Sequence, residues 1–125
     1  MRDLIRRLPD SELEVMQVVW SCTPPVSRAD IERIINKTHA MATTTILTLL
    51  FRLVERGFLS VEKSGKSNYY TPEIPKSDYL AAQSKRFLDK LCGGDMRLFA
   101  TALCDSGLSD EEIDQLRQLL ERGEL

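Results

Sequence analysis

HAMATTTILTLLFRLVERGFL, residues His39 to Leu59, is the stretch whose reading decides the fold. Ile46, Leu49, Leu50, Leu53 and Val54 recur at i, i+3, i+4, i+7 and i+8. That spacing lays apolar side chains along one stripe of an α-helix, and the stripe must face a core. At about 100° per residue, Thr44, Thr48, Arg52 and Glu55 lie on the far side, with Thr45 at its edge. Hydroxyls this short can reach phosphates or base edges without bulk. β-branched threonines also start a helix poorly compared with Ala, Glu or Lys. Two explanations stand side by side: the run caps and solvates a helix N-terminus, or it faces a ligand.

The neighbouring residues tip the balance. Gly57 offers a left-handed stop after the helix. Phe58 to Lys63 and Lys66 to Pro72 then read as two strands about Ser64-Gly65, a hairpin with a basic tip. A shorter helix, Ser27 to about Lys37, comes before. Helix, turn, helix and basic ribbon in that order predict a mainly α fold, a winged helix-turn-helix of three helices plus a β-hairpin wing. In that plan the second helix of the motif enters the major groove and the wing lies on phosphates.

The 125 residues suffice for one core or a small domain with an appendage. No apolar run has the length of a membrane span, and MRDLIRRLPDSEL lacks the apolar stretch of a signal peptide, so a cytoplasmic protein is expected. Cys22, Cys92 and Cys104 are odd in number and far apart, which argues against a disulfide framework and for core positions. The net charge of −2 conceals an asymmetry. Residues 1–72 carry ten basic against eight acidic side chains, whereas residues 73–125 carry seven against eleven. A mildly basic front and an acidic back suit different tasks.

In chain order, Ser11 and Glu14 have capping-box spacing. Leu13, Val15, Met16, Val19 and Trp20 then continue a first helix over residues 11–22, up to Pro24-Pro25. Val26 can add a short strand to the wing. Ser27 caps the second helix, whose buried face is Ile31, Ile34 and Ile35; its N-terminus, with Ser27 and Arg28, is a candidate phosphate contact. His39, the only histidine, stands in the turn with no cluster beside it and is a turn residue rather than a metal ligand.

After Pro75 come three short one-sided helices. The first carries Tyr79, Leu80, Phe87, Leu88 and Leu91, the second Leu98, Phe99 and Leu103, and the third, behind the capping box Ser109 to Glu112, Ile113, Leu116 and Leu120. Helices this short are marginal alone. Their stripes need cover, and a second copy of the chain supplies it; folding back on the front half is the alternative. The expected organisation is a DNA-binding domain at 1–74 and a helical dimerisation region at 75–125.

The same motifs carry a family likeness. Ser11 to Met16 with Trp20, Thr45-Ile46 with Thr48, Arg52-Leu53, the Gly57 turn, Tyr70-Thr71-Pro72, Ser77-Asp78-Tyr79, Phe87-Leu88 and Leu108-Ser109 stand in the order seen in the penicillinase-repressor family. The chain resembles that BlaI, MecI and CopY group of bacterial repressors over nearly its whole length. The resemblance implies a homodimer that binds palindromic operators in double-stranded DNA, with half-sites around TACA/TGTA. Thr43, Thr44, Thr45 and Thr48 would read bases, and Ser27, Arg28, Arg52, Lys63, Lys66 and Ser67 would hold phosphates. No cofactor and no metal is implied. A membrane-linked sensor-protease system is an implied partner, but the Asn-Phe bond cleaved in antibiotic-responsive members falls here on Thr101-Ala102. The Cys-x-Cys pairs of the copper-responsive branch have no counterpart, and Leu47 stands where antibiotic-branch members are polar.

An enzyme has no foothold in these residues: there is no phosphate-cradling glycine loop, no paired ligand spacing and a single histidine. The competing class is a winged helix that serves as a protein-interaction module, which the acidic total would suit.

Overall fold

The computed structural model describes residues 5–123. Helix α1 (Asp10–Ser21) buries Glu12, Val15, Met16 and Val19, one face at helical spacing. Its start differs from the expected capping box. Pro9 is the cap residue, no side chain caps the helix, and the Leu13 N–H donates to the Pro9 carbonyl at 2.9 Å. The helix begins at Asp10, which puts Ser11 inside the first turn rather than at the cap.

Strand β1 (Val26–Ser27) leads directly into α2 (Arg28–Ile35), where the Ser27 side chain accepts from the Asp30 N–H at 3.1 Å. Helix α3 (Thr43–Glu55) buries Ile46, Leu49, Leu50 and Leu53, as its spacing predicted, with Val54 half-buried against the same core. Each such side chain contributes about 1.5–3 kcal/mol on burial. Strands β2 (Leu59–Ser64) and β3 (Ser67–Pro72) form the wing, and the antiparallel sheet has the order β1-β3-β2, with Val26 opposite Tyr70 and Lys63 opposite Asn68. The turn is Gly65-Lys66 rather than Ser64-Gly65. Gly65 takes φ +64 and no non-glycine residue among those described has positive φ, the type II′ pattern that matches strand twist.

A buried ion pair ties α1 to the far end of α3. The Glu12 carboxylate, 1% exposed, accepts from the Arg56 guanidinium, which itself reaches solvent.

Helix α4 (Lys76–Arg86) runs into a π-helical turn (Phe87–Leu91), followed by α5 (Met96–Asp105) and α6 (Asp110–Arg122). The described chain divides into two compact units between Ala82 and Gln83. The division therefore falls inside α4 rather than at 74/75. Tyr79 shows why. It was expected on a dimerisation face, yet it is 4% exposed in the core of the first unit. Its ring packs on Trp20 and Phe58 at 5.6 and 5.9 Å, and its hydroxyl accepts from the Leu8 N–H at 2.9 Å. Trp20 in turn donates from Nε1 to the Ile74 carbonyl at 2.9 Å.

In the second unit the Phe87 and Phe99 rings pack at a tilt with centroids 5.4 Å apart, and the Ser109–Glu112 capping box forms with both of its hydrogen bonds. Those bonds from Ser109 hold the Glu112 carboxyl below its ordinary value. Cysteines do not all sit in cores: Cys92 is buried, Cys22 half-buried and Cys104 exposed.

Two outcomes follow from this packing. Tyr79→Phe is expected to lose about 1–3 kcal/mol of stability in urea denaturation, because the buried Leu8 N–H is left unpaired, while sedimentation shows unchanged self-association. Glu112 is depressed in the folded state, so its contribution to α6 is complete above the unfolded carboxyl value and fades as pH falls through the folded one. Far-UV circular dichroism of the wild type should show this acid-side loss, and Glu112→Gln should flatten it.

Candidate nucleic-acid interface

The buried stripe of α3 settles which side of the helix meets solvent. Opposite it, about 100° per residue brings Thr44, Thr48, Phe51 and Glu55 together, all exposed. Thr45 and Arg52 flank them on one side and Leu47 on the other, also exposed. The threonines are not caps. Ala42 is the cap residue and offers no side-chain hydrogen bond, so Thr43, Thr44 and Thr45 form the first helical turn itself. The Thr48 hydroxyl donates back to the Thr44 carbonyl at 2.9 Å. Thr44 and Thr45 keep their hydroxyls without a partner among the described residues.

Thr43 has a different job. Its hydroxyl donates to one oxygen of Glu32, while the other oxygen accepts from the Arg28 guanidinium. One carboxylate of α2 therefore holds both the first residue of α2 and the first residue of α3. Arg28 is half-buried in this bridge, and the Ser27 side-chain oxygen is engaged in its cap. Neither is a free-standing cation or hydroxyl awaiting a phosphate.

The wing carries exposed Lys63, Lys66 and Ser67 at and beside its two-residue turn, and Lys63, Lys66 and Arg52 have no ion-pair partner among the described residues. A shallow groove lined by Pro25, Glu62, Lys63, Ser64 and Tyr69 lies beside the wing. His39 pairs with Glu14 at 2.6 Å across the turn before α3. Among the described residues no group of three or more His, Cys, Asp or Glu side chains could hold a metal, and no helix is long and apolar enough to cross a membrane.

Two contributors escaped the sequence reading. Phe51 lies seven residues beyond Thr44, and that spacing alone would have placed it outward. Glu32 meets Thr43 across eleven residues and a turn, and no local signal marks it.

In the second unit, Phe87, Leu91, Leu98, Leu103 and Leu120 are exposed, as is Leu80 on α4, whereas Leu88, Phe99, Ile113 and Leu116 are half-buried. Thr101 is exposed on α5, with its hydroxyl donating to the Arg97 carbonyl at 2.9 Å.

The sequence profile of the penicillinase repressor family matches residues 8–122. The chain belongs to the penicillinase repressor family. It is similar to the penicillinase repressor of Bacillus licheniformis, 36% identical over 118 residues that cover 94% of this chain and 91% of the relative. It is also similar to the methicillin resistance regulatory protein MecI of Staphylococcus aureus strain N315, 30% identical over 116 residues that cover 92% and 94%. The solution structure of the DNA-binding domain of the repressor BlaI superposes with a TM-score of 0.53 at 37% identity, covering 58% of this chain and 88% of that one. The solution structure of monomeric Bacillus licheniformis BlaI in complex with the blaP half-operator superposes with a TM-score of 0.51 at 37% identity, covering 60% and 90%.

Glu32 is a negative charge that occupies Arg28 beside the start of α3. Glu32→Ala is expected to tighten binding of a random-sequence duplex at low salt about two- to fivefold, the scale of one exposed charge pair. Fluorescence anisotropy checks it, and unchanged or weaker binding would contradict it.

Proposed function

We propose that this chain is a DNA-binding transcriptional repressor that binds palindromic operators as a homodimer in the cytoplasm, with α3 in the major groove and the wing on phosphates. The observation that carries this is the solvent face of α3: unpartnered hydroxyls at its first turn, on a fold that superposes on a family member solved with a half-operator.

Recognition helices read bases mainly from their N-terminal residues. Thr44 and Thr45 offer donors and acceptors there, Thr48 an acceptor and a methyl, and Thr43 is steered by Glu32. Arg52, Lys63 and Lys66 are free to neutralise phosphates and Ser67 to hydrogen-bond one, whereas Ser27 and Arg28 act through the exposed N-terminus of α2.

Pairing of two copies falls to α4 from Leu80 onward, the π turn, α5 and α6. Exposed apolar side chains in that number are costly for a monomer in water, and a twofold pair presents two α3 helices to a palindrome. The family resemblance puts Thr101-Ala102 in the place of the Asn-Phe bond, so induction by cleavage of an Asn-Phe bond there is not expected of this chain. A sensor-protease would have to recognise a different bond.

Binding to an operator duplex should weaken steeply with salt through counterion release, with Lys63→Ala or Lys66→Ala each lowering the log–log slope by about 1. Thr44→Ala should leave that slope intact and instead reduce discrimination between operator and random duplex, by about fivefold or more. No binding at low salt would favour a protein-interaction module. Leu103→Asp should move the sedimentation of the chain from dimer to monomer at micromolar concentration.

A further inference from the structure

Leu47 and Phe51 sit four residues apart on α3, so their side chains neighbour one another along the helix. Leu47 is 39% exposed and Phe51 63% exposed, on the side of the helix turned away from Ile46, Leu49, Leu50 and Leu53. The core does not need them there. A polar residue at either position would serve the helix equally well and spare water the apolar surface. Their surroundings are polar: Thr44 and Thr48 share the face, and Arg52 with a free guanidinium stands beside Phe51.

The face also lacks donors in its middle. The Thr48 hydroxyl proton is committed to the Thr44 carbonyl, which leaves that residue an acceptor oxygen and a methyl group. From Leu47 to Phe51, then, the helix offers the groove carbon rather than hydrogen-bond donors. The one apolar group on a major-groove floor is the thymine C5-methyl. Leu47 and Phe51 are about 6 Å apart along the helix axis, within the span of two base-pair steps of about 3.4 Å.

We propose that Leu47 and Phe51 form an apolar reader that selects thymine methyl groups at one or two adjacent positions of each operator half-site. This rests on the duplex binding proposed above, and it adds specificity residues that hydroxyl contacts alone would not supply. Continuity with the threonine face, and Arg52 beside it, favour a duplex over a protein as the occupant, although Glu55 shares the C-terminal end of that face.

The test begins with enrichment of binders from a randomised duplex library by the full-length chain. Each thymidine of the enriched half-site is then replaced in turn by deoxyuridine, which removes only the methyl and keeps base pairing. Wild-type protein should lose about fourfold in affinity at each position whose methyl is buried. Leu47→Ala and Phe51→Ala should each bring the thymine-to-uracil ratio at its own position close to one, with the thermal melt unchanged because both side chains are exposed. Equal ratios in wild type and variants at every position would overturn the proposal while leaving operator binding standing. Failure to enrich any sequence would overturn operator binding and this reader with it. A shift from dimer to monomer in the variants, with unchanged ratios, would assign the pair to contact between copies and also overturn it.

Discussion

Four aliphatic side chains on α3, Ile46, Leu49, Leu50 and Leu53, are packed away from water, and the rest of the structure depends on that burial. Because the helix repeats every 3.6 residues, hiding this stripe fixes its rotation about its own axis. What remains outside is the complement: Thr44, Thr48, Phe51 and Glu55 at the centre, Leu47, Thr45 and Arg52 at the margins. The solvent face of α3 is therefore defined by the core. A polar substitution in the stripe would disturb that face by rotating or freeing the helix, without altering any residue on it.

Rotation alone does not locate a helix, and its two ends are held by carboxylates from other helices. At the C-terminal end Glu12 of α1 meets Arg56, and at the N-terminal end Glu32 of α2 meets Thr43. Burying Glu12 is costly in itself, and the pairing offsets that cost rather than adding much net stability. Its value lies in geometry: a hydrogen-bonded pair tolerates little sliding. The wing is joined to the same frame, since β1 pairs with β3 and ends at Ser27, the residue that caps α2. The wing, the start of α2 and the start of α3 are thus joined through Ser27, Arg28 and Glu32.

The segment after the wing is divided in its duties. The first turns of α4 complete the winged helix, because Tyr79 closes its core and accepts the Leu8 N–H. From Gln83 onward a second unit keeps many apolar side chains in solvent, Leu91, Met96, Leu98 and Leu120 among them. A short helical unit that leaves this much apolar surface uncovered suits the pairing of copies proposed above.

Periodicity and punctuation, both local, were enough to read the helix-turn-helix-wing order, the α3 stripe and the Ser27 and Ser109 caps. Each depends on residues within about one or two turns of one another. The outward placement of the threonines was legible for the same reason. What the chain could not declare locally depends on meetings between distant residues. Tyr79 has the pattern of an amphipathic surface helix, and only its packing on Trp20 and Phe58 makes it core. The Pro9 start of α1, the Glu12–Arg56 pair and the Glu32 bridge, which turns Arg28 from a free cation into a strut, likewise required the tertiary fold. Sequence spacing determines which side chains share a face; only the folded chain decides what that face is pressed against.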